Sequence, residues 1–194
     1  MTASAPQETQ VQSQDKPDSP SDQQLIADIN AGDAAAFEVL YFRHRDWVVN
    51  LAHRLTGSED LALDVMQETF LYFLKKFPGF RLTANLKTFL YPAVKNLSIA
   101  ARRKAARHQS TEAEQQVLEQ VPAEQPPLCR SDELSAALAS LSEEHREVLL
   151  LRFVDDLSLA EIAEAVGIPL GTVKSRLHNA LESLRTDERT KELF

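Results

Sequence analysis

The sequence predicts an all-α protein of two small helical domains joined by a flexible acidic linker, the C-terminal domain being a helix-turn-helix. Three observations predict it. Leu, Ala and Glu are abundant while only 5 of 194 residues are Gly, a composition suited to helices. Apolar residues recur at helical rather than alternating spacing in both halves of the chain. Between the halves, residues 108–131 are rich in Gln, Glu and Pro and carry no such periodicity, as a linker would.

Residues 1–21 are dominated by Gln, Ser, Pro, Thr and Asp, so ordering them would cost chain entropy with little surface buried; a disordered tail is expected. Asp22 to Asn30 reads as a first helix closed by Gly32. Asp33 can cap the second, whose buried stripe is Phe37, Leu40, Tyr41, Trp47, Val48, Leu51 and Leu55, ending at Thr56 and Gly57. Ser58 caps a third helix running to about Phe77, where Pro78 and Gly79 break it. After the loop PGFRLTAN, a fourth helix carries Leu86, Phe89, Leu90, Val94, Leu97 and Ile99 and runs out through Arg102, Arg103, Lys104 and Arg107, with Pro92 expected to kink or tighten it. Beyond the linker, Ser131 caps a short helix through Ala139, and Ser142 caps another containing Val148 to Leu151 and Phe153.

The segment SLAEIAEAVGIPLGTVKSRLHNALESLR, Ser158 to Arg185, carries the most information. Ser158 and Glu161 have capping-box spacing, Leu159, Ile162, Ala163 and Val166 form an apolar stripe, and Gly167 fits a left-handed C-cap. A second helix opens near Gly171. Small Ala163 allows a close helix crossing and Val173 plugs one helix onto the other, the packing of a helix-turn-helix. Thr172, Lys174, Ser175, Arg176, His178 and Asn179 then remain to enter a major groove.

Charge is segregated along the chain. The formal total is -8, but residues 43–107 carry +7, flanked by -6 over residues 1–42, -5 over 108–133 and -4 over 134–194. The basic block brings Arg81, Lys87, Lys95, Arg102, Arg103, Lys104 and Arg107 together with Phe80, Phe89 and Tyr91. Cations can neutralise phosphates while aromatic faces stack unpaired bases. Phe89, at helical spacing with Leu86 and Leu90, reads as core; Phe80 and Asn85, in or beside the loop, are better placed to touch a base.

Other classes are excluded on the same residues. There is no phosphate-binding GxxxxGK[ST] or GxGxxG loop and no nucleophile in a recognisable setting, so no catalytic residue is assigned. His44, His53, His108, His145 and His178 are scattered, and no CxxC, HExxH or paired-His spacing assigns a metal; no cofactor is expected. The single Cys129 suits a reducing cytoplasm. No apolar run approaches the ~20 residues that span a bilayer, so no membrane insertion is expected, and the N-terminus lacks an apolar signal core.

From Asp22 to about Arg185 the chain resembles extracytoplasmic-function (ECF) sigma factors of bacterial RNA polymerase. DVMQETFLYFLKKF resembles the segment that grips the clamp helices of core polymerase, with Asp64, Gln67, Glu68 and Phe70 at matching positions. PGFRLTANLKTFLYPAVKNLSIAARRK resembles the part that reads and melts the downstream (-10) promoter element. The resemblance puts Asn96 on a promoter contact and the loop from Pro78 to Asn85 on the capture of a flipped base. SLAEIAEAVGIPLGTVKSRLHNAL is similar to the reader of the upstream (-35) element. The chain departs from the family pattern at Phe89 (usually Trp), Pro92 (usually Arg), Ala100 (commonly Asp) and Asn179 (commonly Arg), which bears on promoter preference and upstream affinity.

The resemblance therefore implies a region 2-like domain over residues 22–107 and a region 4-like domain over 131–187, with linker 108–130 and tail 188–194. Its -10 contacts would be Phe80, Arg81, Asn85, Lys95, Asn96, Arg102 and Arg103, and its -35 contacts the exposed face of the second helix of the motif. RNA polymerase core and promoter DNA are the implied partners, and an anti-sigma factor is the family's usual regulator. The rival readings are a stand-alone helix-turn-helix regulator, which would bind its site without polymerase, and a helical interaction protein that binds no DNA.

Overall fold

The computed structural model describes residues 19–113 and 132–190, without side-chain detail at 108–113 and 132–133. The expected tail over 1–18, the linker from 114 to 131 with Cys129 and Ser131, and the last four residues lie outside the described residues. Within them the regular elements are eight helices: α1 (Asp22–Asn30), α2 (Ala34–Thr56), α3 (Glu59–Leu74), α4 (Leu86–Ala113), α5 (Asp132–Ser140), α6 (Glu143–Phe153), α7 (Leu159–Val166) and α8 (Leu170–Thr186). No described helix is long and apolar enough to cross a membrane.

The helix starts follow from short polar side chains that satisfy orphan amides. Ser21, which the sequence assigns to the tail, accepts from the Gln24 amide at 3.2 Å and starts α1. Asp33 does the same for Ala35 at 2.8 Å, and Ser58 for Leu61 at 3.4 Å. Gly57 closes α2 with φ +72°, a left-handed conformation that costs a residue without Cβ little.

Two boundaries differ from expectation. Helix α3 ends at Leu74 rather than Phe77, because the chain tightens there into three-residue turns, Lys76 to Phe73 and Phe77 to Leu74, ahead of Pro78, which has no amide to donate. Helix α4 runs to Ala113, past the expected end at Arg107, since no Gly or Pro intervenes. Pro92 lies exposed inside α4 without ending it.

Helices α1 to α4 surround a core in which Leu40, Val48, Phe73, Leu86, Leu90 and Val94 are wholly buried. Each such side chain contributes about 1.5–3 kcal/mol of burial. Phe73 is its aromatic hub, with ring centroids of Phe37, Phe77, Phe80 and Phe89 within 5.2–6.4 Å. Helices α5, α6 and α8 share a smaller core of Ala137, Leu138, Leu141, Leu149, Ala180 and Leu184. The two halves also touch. Val148, Leu151, Leu157, Ile162 and Val173 of the C-terminal half belong to the same apolar cluster as Leu90 and Val94, with α7 packed on α4.

Candidate nucleic-acid interface

The helix-turn-helix forms as its residues require. Ser158 accepts from the Glu161 amide while the Glu161 carboxylate accepts from the Ser158 amide at 2.8 Å, a reciprocal cap that fixes the start of α7. Burial pushes the Glu161 carboxyl up, but the Ser158 hydroxyl and amide, the Asn85 side chain and the Lys87 charge outweigh it and hold the group below its ordinary value. Gly167 turns the chain at φ +73°, and Pro169 precedes α8. Val173, Ala180 and Leu184 are buried, turning Lys174, Ser175, His178 and Asn179 outward to solvent. Thr172 and Arg176 flank that face half-buried. Arg176 leans back toward α6, its guanidinium 2.7 Å from the Glu144 carboxylate.

On the N-terminal half, Asp64, Gln67 and Glu68 are exposed on α3. Asp64 and Glu68 stand one turn apart on a groove between α3 and α4 of about 310 Å³, whose lining includes Leu61, Val65, Leu97 and Lys104. Phe70 does not join them. Its ring is buried, 4.7 Å from that of Tyr41 and 6.5 Å from that of Phe37, because Phe70 lies one turn on from buried Met66, on the inner stripe of α3 that also holds Val65, Thr69 and Phe73.

The loop over residues 78–85 is held by a residue absent from the sequence-based list, Asn30. Its side-chain oxygen accepts from the Gly79 amide at 2.6 Å and its amide donates to the Phe80 carbonyl at 2.8 Å, fastening the loop to the end of α1. Gly79 takes φ +101° to make the bend. Arg81 is exposed, whereas the Phe80 ring is half-buried, 4.7 Å from Phe89 and 5.2 Å from Phe73, so as placed it supports the loop from beneath. Asn85 caps α4 by accepting from the Lys87 amide at 3.0 Å. Asn96, Arg102 and Arg103 are exposed farther along α4.

Lys95 points elsewhere, into the seam between the halves. Its ammonium lies 2.5 Å from Glu147 of α6, which also accepts from the Tyr91 hydroxyl. Burial, then the Glu147 charge, push the Tyr91 phenol far up, so it stays a neutral donor. One turn earlier, the Lys87 ammonium donates at 3.0 Å to the carbonyl of Asp155, in the turn between α6 and α7. The Asp155 carboxylate is 2 % exposed. It accepts from Trp47 Nε1 at 2.8 Å and from an Arg54 guanidinium nitrogen at 2.5 Å. Asp156 beside it takes φ +58°, and the turn is braced by the Leu157 amide donating to the Leu151 carbonyl at 3.0 Å.

Comparison with known proteins places this geometry. Sigma-70 region 2 matches residues 40–108 and Sigma-70 region 4 matches residues 137–186. The ECF RNA polymerase sigma factor SigW of Bacillus subtilis is 31% identical over 173 residues, 82% of this chain and 92% of that one. SigL of Mycobacterium tuberculosis, named an ECF RNA polymerase sigma factor, is 37% identical over 163 residues, 80% of this chain and 90% of its own. Among solved structures, CnrH in complex with the cytosolic domain of CnrY aligns with a TM-score of 0.61 at 22% identity, covering 84% of this chain and 93% of CnrH, a likeness of fold. The sigma factor RpoE of Bartonella quintana, solved with the anti-sigma factor NepR, aligns with a TM-score of 0.56 at 25% identity, over 77% of this chain and 94% of its own.

A helical chain with a helix-turn-helix in its C-terminal half, matched by sigma-70 regions 2 and 4, is a transcription initiation factor. The chain belongs to the ECF sigma factors of RNA polymerase. It directs transcription initiation, with core polymerase and promoter DNA as its partners.

Proposed function

We propose that α3 docks on the clamp helices of core polymerase through Asp64, Gln67 and Glu68, with Phe70 holding the helix from inside. Residues 22–107 read and open the -10 element, and residues 131–187 read the -35 element. The observation that carries this division is the outward face of α8, where Lys174, Ser175, His178 and Asn179 lie on one side of a motif whose cap, turn and plug are all formed. The exposed cations Arg81, Arg102 and Arg103 hold phosphates around the melted strand, and Asn96 meets a promoter base. The chain does no bond chemistry of its own and works in the cytoplasm with the polymerase. An anti-sigma factor governs it, a reading supported by the partner of the similar RpoE.

Run-off transcription by the holoenzyme on genomic fragments tests the reading. Lys174→Ala is expected to cost about 1–3 kcal/mol and relax preference at one upstream position, as loss of a base contact does. Arg176→Ala is expected to weaken all sequences alike and to lower the salt slope by about 1. Wild-type promoter affinity and specificity in the double variant would refute DNA reading by α8.

A further inference from the structure

One stripe of α3 changes character along its length. Glu68, Tyr72 and Lys76 follow at four-residue spacing on the flank toward α4, so a carboxylate gives way to an exposed aromatic and then to a cation in the closing turn of the helix. Tyr72 is 40 % exposed. Its ring lies 17° from parallel with that of Phe89 on α4, the centroids 6.2 Å apart, an offset pair that leaves part of the Tyr72 face uncovered. The Lys76 ammonium sits over the same ring, 4.5 Å from its centroid.

Phe89 continues the row to the 78–85 loop, its ring 4.7 Å from that of Phe80. Tyr72 is thus no more than about three stacked nucleotides, at ~3.4 Å each, from Phe80. Among the described residues no carboxylate pairs with Lys76, over Tyr72, or with exposed Arg81, next to Phe80 in the chain.

We propose that Tyr72 and Lys76 form a second nucleotide subsite beside the loop: Tyr72 stacks an unpaired base of the melted DNA, whichever base it is, and Lys76 takes that nucleotide's phosphate. The proposal rests on the reading of the loop as the place of a flipped base.

The exchange at the ring favours the base. A cation over an exposed ring is held about two- to fivefold, whereas a base stacked on an aromatic side chain strengthens single-strand binding by about 5- to 150-fold. An arriving base therefore displaces the ammonium, and the flexible lysine stem lets it swing to a phosphate. Charge selects the same occupant, since a polyanion is drawn to unpaired cations and turned away by Glu68 at the other end of the stripe. Stacking needs only a π-face, so this subsite holds the strand without reading it and leaves sequence to the loop.

The test uses the holoenzyme on a promoter mapped by run-off transcription and melted beforehand at its -10 element, with 2-aminopurine at successive positions of the open segment. This base brightens when it loses a stacking partner. Tyr72→Leu still covers Phe89 but offers no π-face. It is expected to weaken binding of the open template by about fivefold or more, and to brighten one position within about three nucleotides of the one that responds to Asn30→Ala, the variant that unties the loop. Tyr72→Phe keeps the ring and should restore both readouts. Lys76→Gln should lower the salt slope by about 0.7, the share of one single-strand phosphate.

Tyr72→Leu that binds as tightly as the wild type overturns the subsite. Weaker binding with no position brightened overturns it too, and assigns Tyr72 to packing. An unchanged salt slope in Lys76→Gln overturns the phosphate contact. If no position responds to Asn30→Ala while one still responds to Tyr72→Leu, the loop reading fails and the stacking site stands alone. A wild-type holoenzyme that starts no transcripts would sink the promoter reading and the subsite together.

Discussion

Reversing Asp64 and Glu68 to lysine is expected to abolish co-purification with core RNA polymerase while leaving the helical circular dichroism of the isolated chain intact. Both side chains are exposed, and among the described residues neither has a hydrogen-bond or ion-pair partner that positions α3. Substitution at such sites changes stability by about 0.5 kcal/mol or less. Binding responds differently. The two carboxylates stand a turn apart on a groove containing Leu61, Val65 and Leu97, so a docked helix would meet an apolar floor edged with negative charge on its α3 side and with Lys104 on α4. Like charges forced together at an interface cost several kcal/mol. At 1.4 kcal/mol per decade, a penalty of about 4 kcal/mol is near a thousandfold in affinity. Undiminished co-purification of the reversed variant would remove α3 from the polymerase interface.

That groove was only half legible in the sequence. Asp64, Gln67 and Glu68 announce themselves as polar residues among apolar ones, and helical periodicity suffices to face them outward. The same periodicity places Phe70 inward, one turn on from Met66 in the buried stripe, and only the motif match puts it in the contact set. The caps at Asp33, Ser58, Ser142 and Ser158 and the turn at Gly167 were readable because each is decided by residues within a turn of one another.

What was hidden is nonlocal. Asn30 meets Gly79 and Phe80 across about fifty positions, and Trp47 meets Asp155 across more than a hundred. No spacing rule links such residues. Two signals were nevertheless present. Lys87, Tyr91 and Lys95 share one stripe of α4, which marks a face built for a partner, and Asp155 lies between apolar Val154 and Leu157 in a turn. A carboxylate so placed is either exposed or paired, and its 2 % exposure decides for pairing. Seen as a linear charge map, Lys95 belonged with the DNA-binding cations; in the folded chain it is held by Glu147.

Phe73→Ala is expected to destabilise the N-terminal half by about 3–5 kcal/mol, the range for emptying a fully buried aromatic site. Phe73 is 0 % exposed and touches the rings of Phe37, Phe77, Phe80 and Phe89, so the cavity is walled by rigid groups that collapse poorly. In a chain of this size each kcal/mol lowers the melting temperature by about 2–4 °C, which makes the expected fall roughly 6–20 °C by calorimetry. Asn30→Ala separates stability from function at the same place. It removes two hydrogen bonds from a half-buried site, a net cost of about 1–3 kcal/mol, so the chain should stay folded at assay temperature. The loop that those bonds hold is the one proposed to receive a flipped base. Permanganate-detected opening of a duplex promoter should therefore drop in the Asn30→Ala holoenzyme and recover in part on a template already melted at the -10 element. Normal opening with the alanine in place would show that the loop needs no tether to α1, and equal loss on both templates would trace the defect to folding.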